Sequence, residues 1–263
     1  MICHTVHLEY KPGEIIKVRP LADLHVGNAY CDEKAVRRFI DEDPECYFIG
    51  LGDLIDGIVV KDAKRYQKSS DGTEGDDIID EQVDKLKSWL EPYKDRIWGL
   101  GEGNHEQSVV KHCGTNPVKR ICKDFEIPFL GYSWFLRLVM RTKTGAGRTV
   151  IIRGFHGYGG GSRTQGADLT KYVRDIGYYE ADIHLFGHVH RKQVDRIPML
   201  GTCGNRIIAK SRYVILCGSF LRTLSKTTDP TYAEIKGYPP VELGSVQINI
   251  KPVKDWVKIW VDV

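Results

Sequence analysis

The chain has 263 residues, of which 41% are hydrophobic and 28% charged, and this composition excludes a disordered, collagenous or coiled-coil protein. Lysine and arginine number 38 against 35 for aspartate and glutamate, so the formal charge of +3 is too small to argue for nucleic acid on bulk electrostatics. The longest apolar runs fall far short of the roughly 18 residues that cross a bilayer, so no membrane partner is expected.

Two further features bear on the cellular compartment. The first eleven residues contain His, Glu and Lys and lack the unbroken apolar core of a signal peptide. The seven cysteines are scattered and form no C-x-x-C pair, which favours reduced thiols over disulfides or a zinc knuckle. These features predict a cytoplasmic protein.

The first part of the chain alternates strand and helix patterns. Residues 15–22 form an apolar extended run that ends in the polar loop 23–28. Residues 32–40 place apolar side chains at helical spacing behind Asp32, which is a typical N-cap residue. A second apolar run, residues 47–51, again ends in an acidic loop. Strand, loop and helix therefore follow one another, and the order begins to repeat.

The middle of the chain adds an insertion, a helix and a third strand. Residues 61–77 are polar and predict a surface insertion. Residues 79–91 carry apolar side chains at i, i+4, i+7 and i+11, which predicts an amphipathic helix that ends at Pro92. Residues 96–100 predict a strand that leads into the polar loop 103–106.

The remaining segments are richer in strands. Segments 134–141 and 149–155 predict a hairpin, and a glycine-rich loop follows it. A helix is expected over about residues 168–178 and a strand over 182–186. From about residue 192 the chain is β-rich to its end.

Alternating strands and helices followed by a β-rich part predict an α/β fold with two packed sheets. We expect a two-sheet β-sandwich flanked by helices, built as one domain over residues 1–263. In such folds, ligands collect beyond the carboxyl ends of the strands.

Residues that can bind metals stand at the ends of these apolar runs, and core histidines do not distribute themselves in this way. The set is Asp23, His25, Asp53, His105, His156, His188 and His190. Imidazole and carboxylate together suit Mn, Fe or Zn. Seven groups exceed the needs of one ion, so two ions that share a bridging carboxylate are expected. Two ions about 4 Å apart can clamp the attacking and leaving oxygens of a phosphoryl displacement, which indicates phosphoester hydrolysis.

Each motif is weak alone, but five occur in one order, namely Asp23-Leu24-His25, Gly52-Asp53-Leu54-Ile55-Asp56, Gly103-Asn104-His105-Glu106, His156 and Gly187-His188-Val189-His190. This ordered set resembles the calcineurin-like metallophosphoesterase family over residues 23–190, about two thirds of the chain. The resemblance implies an α/β/β/α sandwich.

The resemblance also implies a role for each matched position. The implied ligands are Asp23, His25 and His190 for one ion, and Asn104, His156 and His188 for the other. Asp53 would bridge the two ions. The ions would be divalent, with Mn expected and Fe, Zn, Ni or Mg as alternatives, and a hydroxide between them would be the nucleophile.

Three further residues have candidate roles around the metals. His105 matches the non-ligating histidine of the family, which implies a general acid or a hydrogen bond to a phosphate oxygen. Asp56 is expected to orient the loop or a histidine, with turn capping as the alternative. Arg163, in the glycine-rich loop, is expected to contact phosphate, with an exposed arginine on a flexible turn as the alternative. Glu106 would start a helix, and no catalytic role is expected for it.

The neighbours of these motifs narrow the substrate class. Gly57-Ile58 follows Asp56, whereas the protein Ser/Thr phosphatases of the family carry arginine and glycine there. We therefore expect a phosphodiesterase that acts on nucleotides or nucleic acid. The alternatives are a DNA end-processing nuclease, a phosphomonoesterase and, from another class, a non-catalytic scaffold that retains the fold without turnover. The oligomeric state is not predicted.

Overall fold

The computed structural model describes residues 1–58, 77–225, 228, 230–253 and 256–263. Its strands are β1 (Ile2–Glu9), β2 (Ile16–Ala22), β3 (Tyr47–Gly52), β4 (Leu100–Gly101), β5 (Phe129–Gly131), β6 (Ser133–Arg141), β7 (Gly147–Phe155), β8 (Ile183–Phe186), β9 (Lys192–Cys203), β10 (Arg206–Cys217), β11 (Gln247–Pro252) and β12 (Val257–Asp262). Its α-helices are α1 (Glu33–Asp41), α2 (Ile78–Leu90), α3 (Asn104–Cys113), α4 (Pro117–Phe125), α5 (Ala167–Val173) and α6 (Tyr232–Lys236). Short 3-10 helices follow α2 and α5, at Glu91–Arg96 and Arg174–Gly177.

Two main sheets contain most of the strands. The larger sheet has the order β1-β6-β7-β8-β10-β9, and the smaller has the order β12-β11-β2-β3. Strands β2 and β3 pair in parallel, as do β7 and β8. Strands β6 and β7 form the predicted antiparallel hairpin. Because parallel neighbours end at the same edge, the loops after them are brought together.

The hydrophobic side chains separate into three layers of packing. Between the sheets, Val18 and Ile49 of the smaller sheet share a buried cluster with Leu136 and Ile183 of the larger one. A second cluster packs α1, α2, α3 and α4 on the outer face of the smaller sheet. A third packs α5 on the outer face of the larger sheet. The α/β fold with a two-sheet sandwich and flanking helices is thus confirmed, in the layer order helix, sheet, sheet, helix.

Local sequence explains where individual elements begin. Asp32 is the N-cap of α1, where its side chain accepts a hydrogen bond from the backbone N–H of Ala35. Asn116 caps α4 in the same way, with Pro117 in the first turn. Helix α2 ends at Leu90, and Pro92 lies within the 3-10 turn that follows it.

Several elements differ from the sequence-based expectation, which did not include β5, α4 or α6. The strand expected over 96–100 is reduced to β4, since Gly99 has a φ of +146° and only the pair 100–101 continues as a strand. Strand β1 was not predicted, although it pairs in parallel with β6 along an edge of the larger sheet.

The insertion expected at 61–77 lies, except for residue 77, outside the described residues. Within the described part of the chain, no helix is long and apolar enough to cross a membrane.

A buried histidine between the larger sheet and its outer helix should control acid stability. His184 is fully buried, and burial lowers its pKa to about 4, helped by the nearby charges of Arg153 and Arg212. The unfolded chain takes up a proton near pH 6.5, and the native His184 does so only near pH 4. Stability is therefore lost as pH falls from 6.5 to 4, by about 3 kcal/mol from this residue.

The variant His184→Gln removes this titration. We expect its free energy of unfolding, measured by urea denaturation, to change less between pH 7 and pH 4.5 than that of the parent chain. His7→Gln, at an exposed position on β1, is the matched control and should follow the parent. An unaltered pH dependence in His184→Gln would assign the acid sensitivity to other groups.

Candidate metal centre

The loops after β2 and β3 run side by side and hold the first candidate ligands. The backbone N–H of Asp23 donates to Gly52 O at 3.1 Å, and that of His25 donates to Asp53 O at 3.0 Å. Further along the two loops, Val26 and Ile55 form a parallel β-bridge. The loops thus continue the parallel pairing of their strands beyond the sheet, and this aligns the two motifs.

One group of donor atoms combines the loop after β2 with the loop after β8. His25 Nε2 lies 3.2 Å from His190 Nε2, and His190 Nε2 lies 3.5 Å from Asp23 Oδ1. These three side chains can each direct one atom at a common point. Asp23 also accepts the backbone N–H of His188, at 2.9 and 3.0 Å from its two oxygens, and this bond fixes one loop against the other.

A second group of donor atoms lies beside the first. Asn104 Oδ1 lies 3.0 Å from His156 Nε2 and 2.7 Å from His188 Nδ1. Asp53, His156 and His188 can also direct one atom each at a common point. The side chains predicted for the second ion are therefore adjacent, although three different loops supply them.

Asp53 stands between the two groups. Its Oδ2 lies 3.3 Å from His156 Nε2 and 4.0 Å from His25 Nε2. Its Oδ1 accepts the backbone N–H of His105 at 2.9 Å, in the first turn of α3. The N-terminal end of a helix carries partial positive charge and favours a carboxylate there. One oxygen of Asp53 is thus fixed, and the other faces both donor groups.

The backbone is strained at these positions. Six non-glycine residues in the described ranges have a positive φ, and five of them are Asp23, His25, Asp53, His188 and His190, at +49° to +69°. This conformation costs an ordinary residue about 1–2 kcal/mol, so the surrounding hydrogen bonds must hold it. Strain concentrated on five candidate ligands supports a functional centre.

Two glycines allow the close packing around the donors. A Cβ on Gly103 would lie 2.2 Å from Asp53 Oδ1 and 2.6 Å from His156 Cε1. A Cβ on Gly187 would lie 2.7 Å from Asp23 Oδ2. Any side chain at either position would displace a candidate ligand, so the glycines of these two motifs have a steric role.

The candidate ligands shift one another's pKa values. Burial alone would raise the pKa of Asp53, but His156 and His105 lower it well below its usual value. Burial alone would lower the pKa of His156, but Asp53 raises it to about 9. Burial, with His105 beside it, lowers the pKa of His25. An ionised carboxylate surrounded by imidazoles and an amide oxygen is a donor set that fits divalent transition ions.

His105 lies beside the donors with one ring nitrogen engaged. Its Nδ1 is hydrogen-bonded to the backbone carbonyl of Asp56, and its Nε2 lies 3.9 Å from Asp53 Oδ2. A carbonyl accepts only, so Nδ1 carries the proton in this tautomer. The carboxylate of Asp56 accepts from Asn28 Nδ2 at 2.9 Å and faces His25 Nδ1 at 3.4 Å. The side chain of Asp56 thus lies against His25, and its backbone carbonyl contacts His105.

Glu106 has a positioning role that its sequence context did not reveal. Its carboxylate is fully buried and accepts four backbone N–H groups, from Gly103 at 2.7 Å, Asp53 at 2.9 Å, Leu54 at 2.7 Å and Ile55 at 3.2 Å. Burial and the nearby Asp53 raise its pKa. One side chain thus fixes the Asp53 loop against α3.

A cavity of about 380 Å³ opens beside the centre and reaches His25, Asn104, His105, His188 and His190. Two arginines that were not predicted, Arg191 and Arg222, also line it. Arg191 Nε pairs with Asp168 Oδ2 at 3.1 Å, and Arg222 Nη2 pairs with Asp32 Oδ2 at 2.8 Å. The sequence offered a signal for Arg191, because this residue directly follows the candidate ligand His190. It offered no signal that would have placed Arg222 at the cavity.

Arg163 is placed differently from the metal ligands. Its Nη2 donates to the backbone carbonyl of Lys236 at 3.1 Å, and the residue does not line the cavity. The other nine residues predicted for the site are brought together, namely Asp23, His25, Asp53, Asp56, Asn104, His105, His156, His188 and His190.

Comparison with known proteins gave no matching family model and no matching curated protein. Among solved structures, Vps29 from Entamoeba histolytica complexed with Zn is 14% identical over 95% of this chain and 98% of that chain, with a TM-score of 0.35. The calcineurin-like phosphoesterase YfkN from Bacillus subtilis is 13% identical over 94% and 90%, with a TM-score of 0.34. A predicted phosphoesterase from Streptococcus pneumoniae is 12% identical over 95% and 99%, with a TM-score of 0.31. Values this low carry no conclusion about activity.

The internal organisation of the chain is more informative than these likenesses. Each of the five motifs directly follows or closely adjoins the end of a strand, namely β2, β3, β4, β7 and β8. The loops meet at one edge of a two-sheet sandwich with helices on both outer faces. This is the two-sheet α/β sandwich with flanking helices that the ordered motifs predict.

Proposed function

We propose that this protein is a dinuclear metal-dependent phosphodiesterase. The observation that carries the proposal is the pair of donor groups joined by Asp53, with His105 beside them at a cavity. His25 and His190 belong to one group, and His156 and His188 to the other. A purely structural role does not explain five strained backbone positions and so many buried donors in one place.

Each residue of the centre has its own role in the proposed reaction. Asp23, His25 and His190 would hold one ion, Asn104, His156 and His188 the other, and Asp53 both. Two divalent ions held there supply Lewis-acid charge for a phosphoryl oxygen and lower the pKa of water. His105, with Nδ1 held by Asp56 O, would donate its Nε2 proton to the leaving oxygen. Asp56 and Glu106 keep the histidines and the Asp53 loop in position.

The cations of the cavity favour a diester over a monoester. Both arginines that line it, Arg191 and Arg222, are already paired with carboxylates. Their charge is therefore largely compensated, which suits the single negative charge of a diester better than the two charges of a monoester. The cavity also extends past the donors, with room for a second ester group. We infer a diester of nucleotides or nucleic acid, with Mn as the working ion.

The compartment is inferred from the cysteines. The six whose side chains are described are free thiols, and four of them are buried, namely Cys31, Cys46, Cys122 and Cys217. Burial raises the pKa of Cys31 and Cys122 to about 12, which keeps them protonated and unreactive. Free thiols of this kind support a cytoplasmic location.

The direct test is hydrolysis of bis-p-nitrophenyl phosphate beside p-nitrophenyl phosphate. The protein is stripped with a chelator, which should abolish turnover, and then reloaded with Mn²⁺, which should restore it. We expect the diester to be cleaved faster. A faster monoester reaction would overturn the diester assignment, and no turnover on either ester by protein that has bound metal would support the scaffold reading.

Asp53 should matter more for metal retention than any non-ligating residue. We expect Asp53→Asn to lower the bound metal by about one ion per chain and to weaken the second about tenfold or more, because the charged bridging oxygen is lost. His105→Ala should retain both ions. The test compares the metal content of the two variants after gel filtration, measured by mass spectrometry. Equal retention in the two variants would count against the bridging role.

A further inference from the structure

Apolar and aromatic side chains form a wall of the cavity in addition to the candidate metal ligands. This wall comprises Tyr30, Leu221, Tyr238, Pro239 and Val241. The cavity has a volume of about 380 Å³, which lies near the lower end of the range for pockets that bury a small ligand. The space therefore suits one compact organic group attached to the phosphate, and not an extended chain.

Hydrogen bonds hold the aromatic part of this wall in place. Arg222 donates its backbone N–H to Tyr30 O at 2.9 Å, and Tyr30 donates its own to Asn28 Oδ1 at 2.8 Å. Cys31 and Leu221 form a β-bridge beside them. The wall is thus a fixed surface that joins the loop after β2 to the segment after β10.

The second aromatic residue is presented by α6. Thr231 caps this helix through a hydrogen bond from the backbone N–H of Glu234 at 3.0 Å. Tyr238 closes its C-terminal end by donating its backbone N–H to Ala233 O at 2.9 Å. The polar Thr231 hydroxyl that lines the cavity donates to Thr223 O at 2.6 Å. The wall therefore consists mainly of apolar and aromatic side chains, and the hydroxyl of Thr231 is already engaged.

The glycine-rich loop meets this segment and closes one side of the cavity. Gly159 O lies 2.6 Å from His188 Nε2, so the loop begins at the candidate centre. Further along, a Cβ on Gly160 would lie 3.9 Å from the Tyr238 hydroxyl. The bond from Arg163 Nη2 to Lys236 O, outside the cavity, ties the loop to the end of α6. Arg163 acts here as a positioning residue.

We propose that this wall binds the nucleoside part of a small nucleotide phosphodiester, with Tyr238 stacking on the base, and that the tie through Arg163 keeps polynucleotide strands out. The proposal rests on the proposed phosphodiesterase function. Aromatic rings bind every base through its π-face, so the preference should be for a nucleoside and only weakly for its base. Two paired arginines leave the single charge of a diester acceptable beside the wall.

The test compares thymidine 5′-(p-nitrophenyl) phosphate with methyl p-nitrophenyl phosphate. In both, water adds to phosphorus and the bond to p-nitrophenolate breaks, so the substrates differ only in the group that stays on the phosphate. We expect kcat/KM to be at least tenfold higher for the thymidine ester. Tyr238→Ala should remove most of this preference, measured as the ratio of kcat/KM for the two esters. Tyr178→Ala, at an 83% exposed position that does not line the cavity, is the matched control.

The variant Arg163→Ala tests whether the hydrogen bond from Arg163 to Lys236 O keeps polynucleotide strands out of the cavity. Circular single-stranded DNA should resist the parent protein, and the variant should cleave it at least severalfold faster while both small esters change little. Cleavage of the circle by the parent as fast as the thymidine ester would overturn the proposal, as would equal kcat/KM for the two esters.

A binding measurement separates this inference from the proposed function. If neither ester is hydrolysed, the phosphodiesterase assignment fails, but the wall can still be tested by calorimetry with thymidine 5′-monophosphate and methyl phosphate. Tighter binding of the nucleotide that is lost in Tyr238→Ala supports the nucleoside wall. Equal binding of the two phosphates rejects it.

Discussion

His105→Ala should lower kcat about 10³-fold for a phosphodiester with an alcohol leaving group, while both metal ions stay bound. General acids of this kind typically contribute 10²- to 10⁴-fold, because the leaving alkoxide must be protonated as its bond to phosphorus breaks. The Nδ1 of His105 is fixed by Asp56 O, so only Nε2 can serve the substrate. Removing the ring removes this proton donor.

The leaving group distinguishes proton donation from phosphate binding. A p-nitrophenolate is stable without a proton, so His105→Ala should slow its release only about tenfold. An equal loss on both leaving groups would contradict the acid and assign His105 to phosphate positioning. His112→Ala, two turns further along α3, is the matched control and should retain the parent rates. Metal content measured on the same samples excludes loss of the ions as the cause.

The pH profile gives a second readout for this residue. A general acid must be protonated in the free enzyme, so its titration produces the basic limb of the kcat/KM profile. We expect that limb to disappear in His105→Ala and to persist in the His112→Ala control. A basic limb that survives in His105→Ala would belong to another group.

The sequence predicted the layers of the fold and the cluster of donors for a simple physical reason. An apolar run that stops at an aspartate or histidine marks the end of a buried strand, and parallel strands end at one edge. Asp23 and Asp53 follow β2 and β3, which pair in parallel, so their proximity could be derived from the pattern alone. His156 and His188 follow β7 and β8 in the same way.

Other features depend on contacts that no local pattern encodes. Glu106 looked like an ordinary residue of a first helical turn, whereas three of its four donors lie about fifty positions earlier in the chain. Arg222 reaches the cavity because β10 runs parallel to β8 and ends beside it. Strand β1 shows an alternation of apolar and polar residues, but its first residues resemble a solvent-exposed terminus. In all three, contacts between residues that are far apart in the sequence determine the position.

The largest effect on the folded state is expected from Glu106→Ala. The substitution leaves four backbone N–H groups of the Asp53 loop and the start of α3 without their acceptor, in a place closed to water. A buried donor without a partner costs about 1–3 kcal/mol. We expect the free energy of unfolding to fall by about 5 kcal/mol, which approaches the whole stability of many domains.

Glu106→Gln keeps the size of the side chain and tests the same idea in a variant that should fold. Its carbonyl oxygen can still accept Leu54 and Ile55, but its amide would face the N–H groups of Asp53 and Gly103. We expect a loss of about 2–3 kcal/mol in urea denaturation. The metal content should fall as well, because Asp53 is held at a φ of +49° that relaxes once the loop is released.

A second buried glutamate provides the control for the position of the charge. Glu102 is 7% exposed and accepts the side-chain amides of Gln107 and Asn116, not backbone groups of the Asp53 loop. Glu102→Gln should lower stability less than Glu106→Gln and leave the metal content at the parent value. If both variants lost stability but retained metal equally, Glu106 would serve only the packing of α3. Loss of metal in Glu106→Gln alone means that a carboxylate outside the donor groups determines whether Asp53 can bridge them.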